Sequence, residues 1–291
     1  MEYVIYVALI LFGVCLGSFA GATVWRMRAH QLKNDKKQKE LVDAKEYKQL
    51  QKLTKQKLSK DRSQCLHCGY SLKWYDLVPI LSWVFLKGKC RECKKPIGYF
   101  EPLIEIGVAA FFVASYAFWP SGLTEPLEIA RFVIWLVAGV VLAILFAYDT
   151  KWYLLPDRLT AILTGLGLVT VAIVAIQSVS PLLTILNALA AVGVLSGIYL
   201  ILYKVSRGRW IGFGDIKLNV GLALLLGDWQ LAIVALFLAN LIGCLIVIPF
   251  MIAGKLKRTS HVPFGPLLIA GAILAKFVGL YIVEFYTLGL M

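Results

Sequence analysis

Val133-Ile134-Trp135-Leu136-Val137-Ala138-Gly139-Val140-Val141-Leu142-Ala143-Ile144-Leu145-Phe146-Ala147 is an unbroken apolar run, and it closes on Tyr148 and Asp149. A helix on a soluble surface alternates apolar and polar faces. A helix that is apolar all round belongs in a core or a bilayer, where roughly 20 residues cross the hydrocarbon. The pattern recurs along the chain, at about 3–25, 102–119, 128–149, 157–177, 181–203, 212–227, 229–253 and 262–287. The expected fold class is therefore an all-α polytopic membrane protein with about eight transmembrane helices. Of the 291 residues, 59% are hydrophobic and 16% charged, whereas a soluble domain carries about a quarter charged. The mean hydropathy is +0.76.

Two ends of the chain of spans need comment. Met1-Glu2 offers no basic n-region, and the first apolar run continues to Val24, so a retained span is expected rather than a cleavable signal. The sixth segment is short, with Asp215 and Lys217 in its first turns. A re-entrant segment stays open there, because irregular backbone is tolerated at membrane depth where it lines a cavity.

The charge is concentrated. The chain carries +13 formally, and the stretch from Arg26 to Glu101 holds 19 of the 30 Lys and Arg against 8 Asp and Glu. That organises the chain into a first transmembrane helix at 1–25, a basic linker with a Cys-rich domain at 26–101, and a seven-helix membrane domain at 102–291. Basic loops stay on the cytoplasmic side. With eight spans, Lys151, Arg158, Lys204, Arg207, Arg209, Lys255, Lys257 and Arg258 join the large loop there, and both termini lie outside. The connectors on the other side, Pro120–Leu127, Ser178–Ser180 and Gly227–Asp228, hold no Lys or Arg. Arg131 and Lys276 depart from the pattern; both are embedded near or within spans.

This count places Asp149, ending the third span, and Asp215, beginning the sixth, at one membrane border. Ionisable groups at that depth are costly and point to function. Two carboxylates at one depth can hold one proton between them and activate water. Asp149 and Asp215 are the expected catalytic pair. Gly212 and Gly214 fit a backbone that bends or lets another strand approach. Lys217 either pairs with a carboxylate or reaches for the interface. Asp157, after Pro156, is read as a helix N-cap and as the rival to Asp149. Glu105 and Lys276 are buried-charge candidates facing a helix interior.

Within the loop, Leu41, Tyr47, Leu50, Leu53 and Leu58 recur at spacings of about three to five between His30 and Arg62. That reads as a partly amphipathic helix, a flexible tether or a face lying on anionic lipid. Tyr47 is the lone aromatic there, which argues against nucleic acid. Cys65-Leu66-His67-Cys68 and Cys90-Arg91-Glu92-Cys93 lie 21 residues apart. Two CxxC pairs in a reducing compartment point to a structural Cys₄ zinc site rather than disulfides. His67 is a bystander in this reading, and Cys15 and Cys244, inside apolar spans, are expected as packed thiols.

The ordered set of motifs resembles the type IV prepilin peptidases nearly end to end. Gly17-Ser18-Phe19 is similar to the family's opening. The segment from Arg62-Ser63-Gln64-Cys65 through Asp76-Leu77-Val78-Pro79-Ile80-Leu81-Ser82 to Glu101-Pro102-Leu103-Ile104-Glu105 resembles its cytoplasmic module. Asp149 with Leu154-Leu155-Pro156-Asp157, Gly212-Phe213-Gly214-Asp215-Ile216-Lys217-Leu218 and Pro263-Phe264-Gly265-Pro266 resemble its later motifs. The resemblance implies an aspartic endopeptidase of the GxGD type in a bacterial cytoplasmic membrane. It would trim the basic leader from prepilins and pseudopilins. It also implies N-methylation of the new terminus with S-adenosylmethionine, with Gly17, Ser18 and Glu105 as candidate residues. The chain departs from the family at Ala20-Gly21-Ala22, where Leu-Asn-Val is usual. A peptidase without methylation is the nearest alternative. A transporter with a metal-bound regulatory loop would show repeated halves, and no second GxGD is present.

Overall fold

A computed structural model describes residues 2–54, 63–120, 122–255 and 262–288. Leu58, Arg62, Lys257 and Arg258, invoked above, lie outside the described residues. The described chain is helical, with strand-like pairing confined to two isolated bridges, Gln64 with Ser71 and Lys89 with Pro96. Among the described residues, seven helices are long and apolar enough to cross a membrane. It divides into two compact units, Met1–Ala114 and Ser115–Met291.

In the first unit, α1 runs from Glu2 to Lys37, well past the expected end of the first span. Its charged extension folds back on itself. Asp43 caps α2 (Ala44–Leu50) by accepting the N–H groups of Lys45 and Glu46 at 2.7 and 3.2 Å. Those two N–H groups hold its carboxyl below the usual range. Leu50 and Leu53 then bury against Ala29 and Leu32, with Trp25 and Tyr47 packed alongside. Arg28 grips Glu46 through two bonds of 3.0 and 2.7 Å. The stretch is thus a packed hairpin rather than a tether, because the apolar positions of two helices cover each other. Among the described residues of the expected stripe, Leu41 is fully exposed.

After the Cys-rich segment, with its short α3 (Leu81–Phe85), comes α4 (Phe100–Ala117). It lies very close to α1. A Cβ on Gly13 would sit 2.5 Å from Ala109 Cα, and one on Gly17 would sit 2.6 Å from Glu105 Cα. Small residues four apart let two membrane helices approach to backbone contact.

The second unit holds α5 (Pro126–Trp152), α6 (Asp157–Gln177), α7 (Pro181–Val192), α8 (Ile198–Ser206), α9 (Phe213–Leu226), α10 (Trp229–Ile252) and α11 (Gly265–Leu288). A π-turn, Gly193–Gly197, joins α7 to α8 into one spanning segment. The sixth expected span is α9. Its 14 residues rise roughly 21 Å, short of the roughly 30 Å hydrocarbon core. α9 packs tightly on α6: Cβ atoms added at Gly167 and Gly221 would lie 2.6 Å from Leu224 Cβ and 2.9 Å from Leu163 Cδ2.

Cys15 and Cys244 do not pack inside the protein; both are exposed on spanning helices. A membrane helix buries only its protein-facing stripe, and a thiol is apolar enough to face lipid.

Candidate active site

The second unit brings together three separated motifs. α5 ends in a left-handed Tyr153, whose N–H returns to the carbonyl of Asp149 at 2.9 Å. Asp149 therefore occupies the last turn, and it is 5% exposed. Its Oδ2 accepts the backbone N–H of Gly265 at 3.0 Å, at the start of α11. Asp215 is the third residue of α9, and its Oδ2 accepts the N–H of Gly212 at 3.3 Å. The carboxylate thus serves as the helix's own N-terminal capping group.

Leu155, in the connection between α5 and α6, lies against both motifs. A Cβ on Gly214 would meet Leu155 Cβ at 3.1 Å, and one on Gly265 would meet Leu155 Cδ2 at 3.5 Å. Neither Gly212 nor Gly214 adopts a left-handed backbone. Gly214 is needed for the approach of Leu155, not for a bend. The Asp149 charge reaches the Asp215 carboxylate through space, and the Asp215 charge reaches the buried phenol of Tyr199. The Tyr199 ring lies 5.8 Å from that of Phe264, the neighbour of Gly265. The residues around Asp149, Asp215, Leu155, Tyr199 and Phe264 therefore form one site.

Two further contacts set the position of α9. Asn219 donates to the carbonyl of Leu195 at 3.3 Å, and Ser196 donates to the carbonyl of Ile216 at 3.0 Å. A π-turn frees backbone groups from the helical ladder, and here Asn219 takes one of them. Sequence reasoning passed over Ser196, Asn219 and Tyr199. Asn219, one helical turn after Asp215 in an apolar run, was the available signal.

Lys217 pairs with Asp157 Oδ1 at 2.8 Å. Asp157 is the first residue of α6 and Pro156 holds the N-cap position, so Asp157 is not the cap. Pro156 is extended, with φ −62° and ψ 123°, and the Asp157 side chain meets the lysine instead of capping the helix. Lys276 faces inward, its ammonium over the rings of Trp119 and Trp135 at 5.6 and 6.0 Å. The Arg131–Glu128 ion pair adds charge nearby.

In the first unit, four thiols converge. Cys65 and Cys93 sulfurs lie 3.9 Å apart, Cys68 and Cys90 4.0 Å apart, and all four within 4.8 Å of one another. Each CxxC forms the same tight turn: Cys65 N–H bonds the carbonyl of Tyr70, and Cys90 N–H that of Lys95, both at 2.9 Å. Gly69 and Lys94 supply the left-handed residue, with φ of 79° and 57°. Tetrahedral Zn–S bonds of about 2.3 Å imply sulfur separations near these values, so the four Cys fit one metal ion. His67 is exposed and outside the group. Burial pushes the Cys65 thiol up to about 12. For Cys90, burial opposes ionisation, yet the N–H groups of Cys93 and Glu92 and the neighbouring thiols bring it down to about 7.

Gly17, Ser18 and Glu105 also meet. Glu105 is buried, accepts the N–H of Ile80 at 2.7 Å, and bonds the Ser18 side chain. One turn earlier, Glu101 Oε1 takes the indole N–H of Trp25 at 3.0 Å, while its Oε2 is buried with no partner among the described residues.

These features define a polytopic membrane protein with one carboxylate at the end of α5, another at the start of α9, and a cluster of four cysteines. Residues 11–119 match the bacterial peptidase A24 N-terminal domain, and residues 136–248 match the type IV leader peptidase family. The prepilin leader peptidase/N-methyltransferase of Burkholderia pseudomallei (strain 1026b) is 32% identical over 225 residues, 75% of this chain and 67% of the relative. That of Bacillus subtilis (strain 168) is 31% identical over 227 residues, 77% and 85% of the two chains. The type 4 prepilin-like proteins leader peptide-processing enzyme of Escherichia coli O78:H11 is 30% identical over 271 residues, 90% and 89%. The chain belongs to the type IV leader peptidase family. No solved structure matches it.

Proposed function

We propose that this protein is a membrane aspartic endopeptidase that removes the leader peptide of prepilins and pseudopilins, with Asp149 and Asp215 as its catalytic dyad. The observation that carries the reading is the shared site: Asp149 held by Gly265 N–H, Asp215 by Gly212 N–H, and Leu155 against both motifs. One carboxylate, ionised, takes a proton from water as the oxygen attacks the scissile carbonyl. The other, protonated, gives its proton to the amine as the C–N bond breaks. Gly212, Gly214, Asp157 and Lys217 support the site by holding the start of α9.

Because basic loops stay on the cytoplasmic side, this reading puts Asp149 and Asp215 at the cytoplasmic border of the bacterial membrane, with the Cys-rich domain cytoplasmic and both termini outside. A bond at the junction of a basic leader and an apolar helix lies at that height. Cys65, Cys68, Cys90 and Cys93 would hold zinc, and the ion would tie the two CxxC turns together in a structural role.

The second activity is N-methylation of the new terminus, with S-adenosylmethionine as methyl donor. Gly17, Ser18 and Glu105 form a packed contact rather than an open cleft. The unpartnered Glu101 Oε2 beside them is an acceptor suited to the donor's ammonium or ribose hydroxyl groups. Peptidase action alone is favoured by Ala20-Gly21-Ala22, which replaces the family's polar residue in α1. Incubating the purified protein in lipid with a prepilin and a methyl-labelled donor, then weighing the product N-terminus, separates the two. Leader removal with a methyl gain supports both activities. Leader removal without one leaves the peptidase alone, and an intact prepilin rejects the reading.

A further inference from the structure

Between the two CxxC turns, α3 presents an apolar face that neither the thiols nor the carboxylates use. Phe85 is 81% exposed, Leu81 and Val84 are both 56%, and Trp74 just upstream is 79%. Contiguous exposed apolar groups of this kind mark an interaction surface.

Two contacts fix where this face lies relative to α4. Ile80, immediately before α3, donates its N–H to Glu105 Oε2 at 2.7 Å. Glu105 is in the second turn of α4, roughly 7 Å along a helix that is apolar and long enough to span. At the other side, Trp83 donates its indole N–H to the carbonyl of Gly98 at 2.7 Å, and its ring lies 5.2 Å from Tyr99. The five-residue helix is therefore tied beside the membrane entry of α4, where Leu103 and Ile106 also face outward.

The backbone is strained to put it there. Ile80 has φ 58° and ψ −53°, and Leu81 N–H bonds the carbonyl of Pro79. That is a γ-turn of the rare hand, at a β-branched residue that avoids positive φ. Strain of this kind persists only where the surroundings hold it. The charges around the face are basic: Lys87 and Lys89 follow α3, and no Asp or Glu occurs from Leu77 to Lys89.

We propose that α3 is an interfacial anchor, with Leu81, Val84 and Phe85 set into the headgroup–acyl boundary of the leaflet where α4 begins. Lys87 and Lys89 meet the anionic phosphates above it. Amphipathic segments with apolar and basic residues bind the interface in this way. The anchor holds the Cys-rich domain against the bilayer independently of any substrate.

The test is site-specific photo-crosslinking of the full-length protein in vesicles of phosphatidylglycerol and phosphatidylethanolamine. A diazirine amino acid replaces Leu81 or Phe85, and the exposed Glu40 in separate samples. The anchor predicts lipid adducts at both apolar positions at least about tenfold above position 40, as expected for acyl rather than aqueous contact. Adducts to the chain itself or to an added prepilin, or yields equal to position 40, overturn it.

Discussion

The backbone N–H of Gly265 donates to Asp149 Oδ2 at 3.0 Å, joining residues 116 positions apart in sequence. A Cβ at position 265 would lie 2.7 Å from that same oxygen, so the glycine both holds the carboxylate and makes room for it. The Pro263-Phe264-Gly265-Pro266 motif thus acts on the first carboxylate, and Phe264 reaches Tyr199 beside the second.

Gly265→Ala should therefore displace the Asp149 carboxylate without unfolding the helices. Because a misplacement of about 1 Å can cost about 100-fold in rate, leader cleavage should fall at least about tenfold. Cleavage kinetics in lipid, compared with insertion measured by protease protection, check this. Undiminished cleavage would remove Gly265 from the site.

Lys217→Met should cost less. The Lys217–Asp157 pair is partly solvated, with side chains 37% and 72% exposed, and such pairs contribute about 0–1 kcal/mol. Cleavage should drop by less than about tenfold, and the difference from the parent should shrink at high salt as screening weakens the pair. A loss above about 100-fold, the scale of a general acid or base, would place Lys217 in the chemistry itself.

Metal analysis of the purified protein should find one zinc per chain. Stripping it with a chelator, or replacing Cys90 with Ser, should expose the segment between Cys65 and Cys93 to protease, because such sites supply folding free energy to small domains. Leader cleavage should survive, since Asp149 and Asp215 both lie in the other compact unit. Zinc well under one per chain contradicts the metal, and loss of cleavage together with zinc contradicts the division of labour.

The long spans were legible because hydrophobic length alone decides them; the sixth segment was less so, since Asp215 and Lys217 in its first turns left a short or re-entrant segment open, and α9 has only 14 residues. The hairpin of α1 with α2 was not, because Ala29, Leu32, Tyr47, Leu50 and Leu53 form a core only once two charged helices face each other. The clustering of the four thiols followed from CxxC spacing. By contrast, the Gly265–Asp149 bond and the seat of Asn219 on the π-turn are tertiary backbone contacts with no periodic signature. Asp157 and Lys217 each carried two readings until the structure put them together. The outward position of Cys15 and Cys244 was hidden because an all-apolar helix does not reveal which face meets lipid.

The central claim is that Asp149 and Asp215 work as one dyad. Its most direct measurement is prepilin cleavage by Asp149→Asn and Asp215→Asn, each in lipid and each checked for normal insertion. Each single variant should lose at least about 100-fold in cleavage rate, the scale of one general acid or base. The double variant should lose little more, because groups acting as a unit are not additive. Near-parental cleavage by either single variant would contradict the dyad.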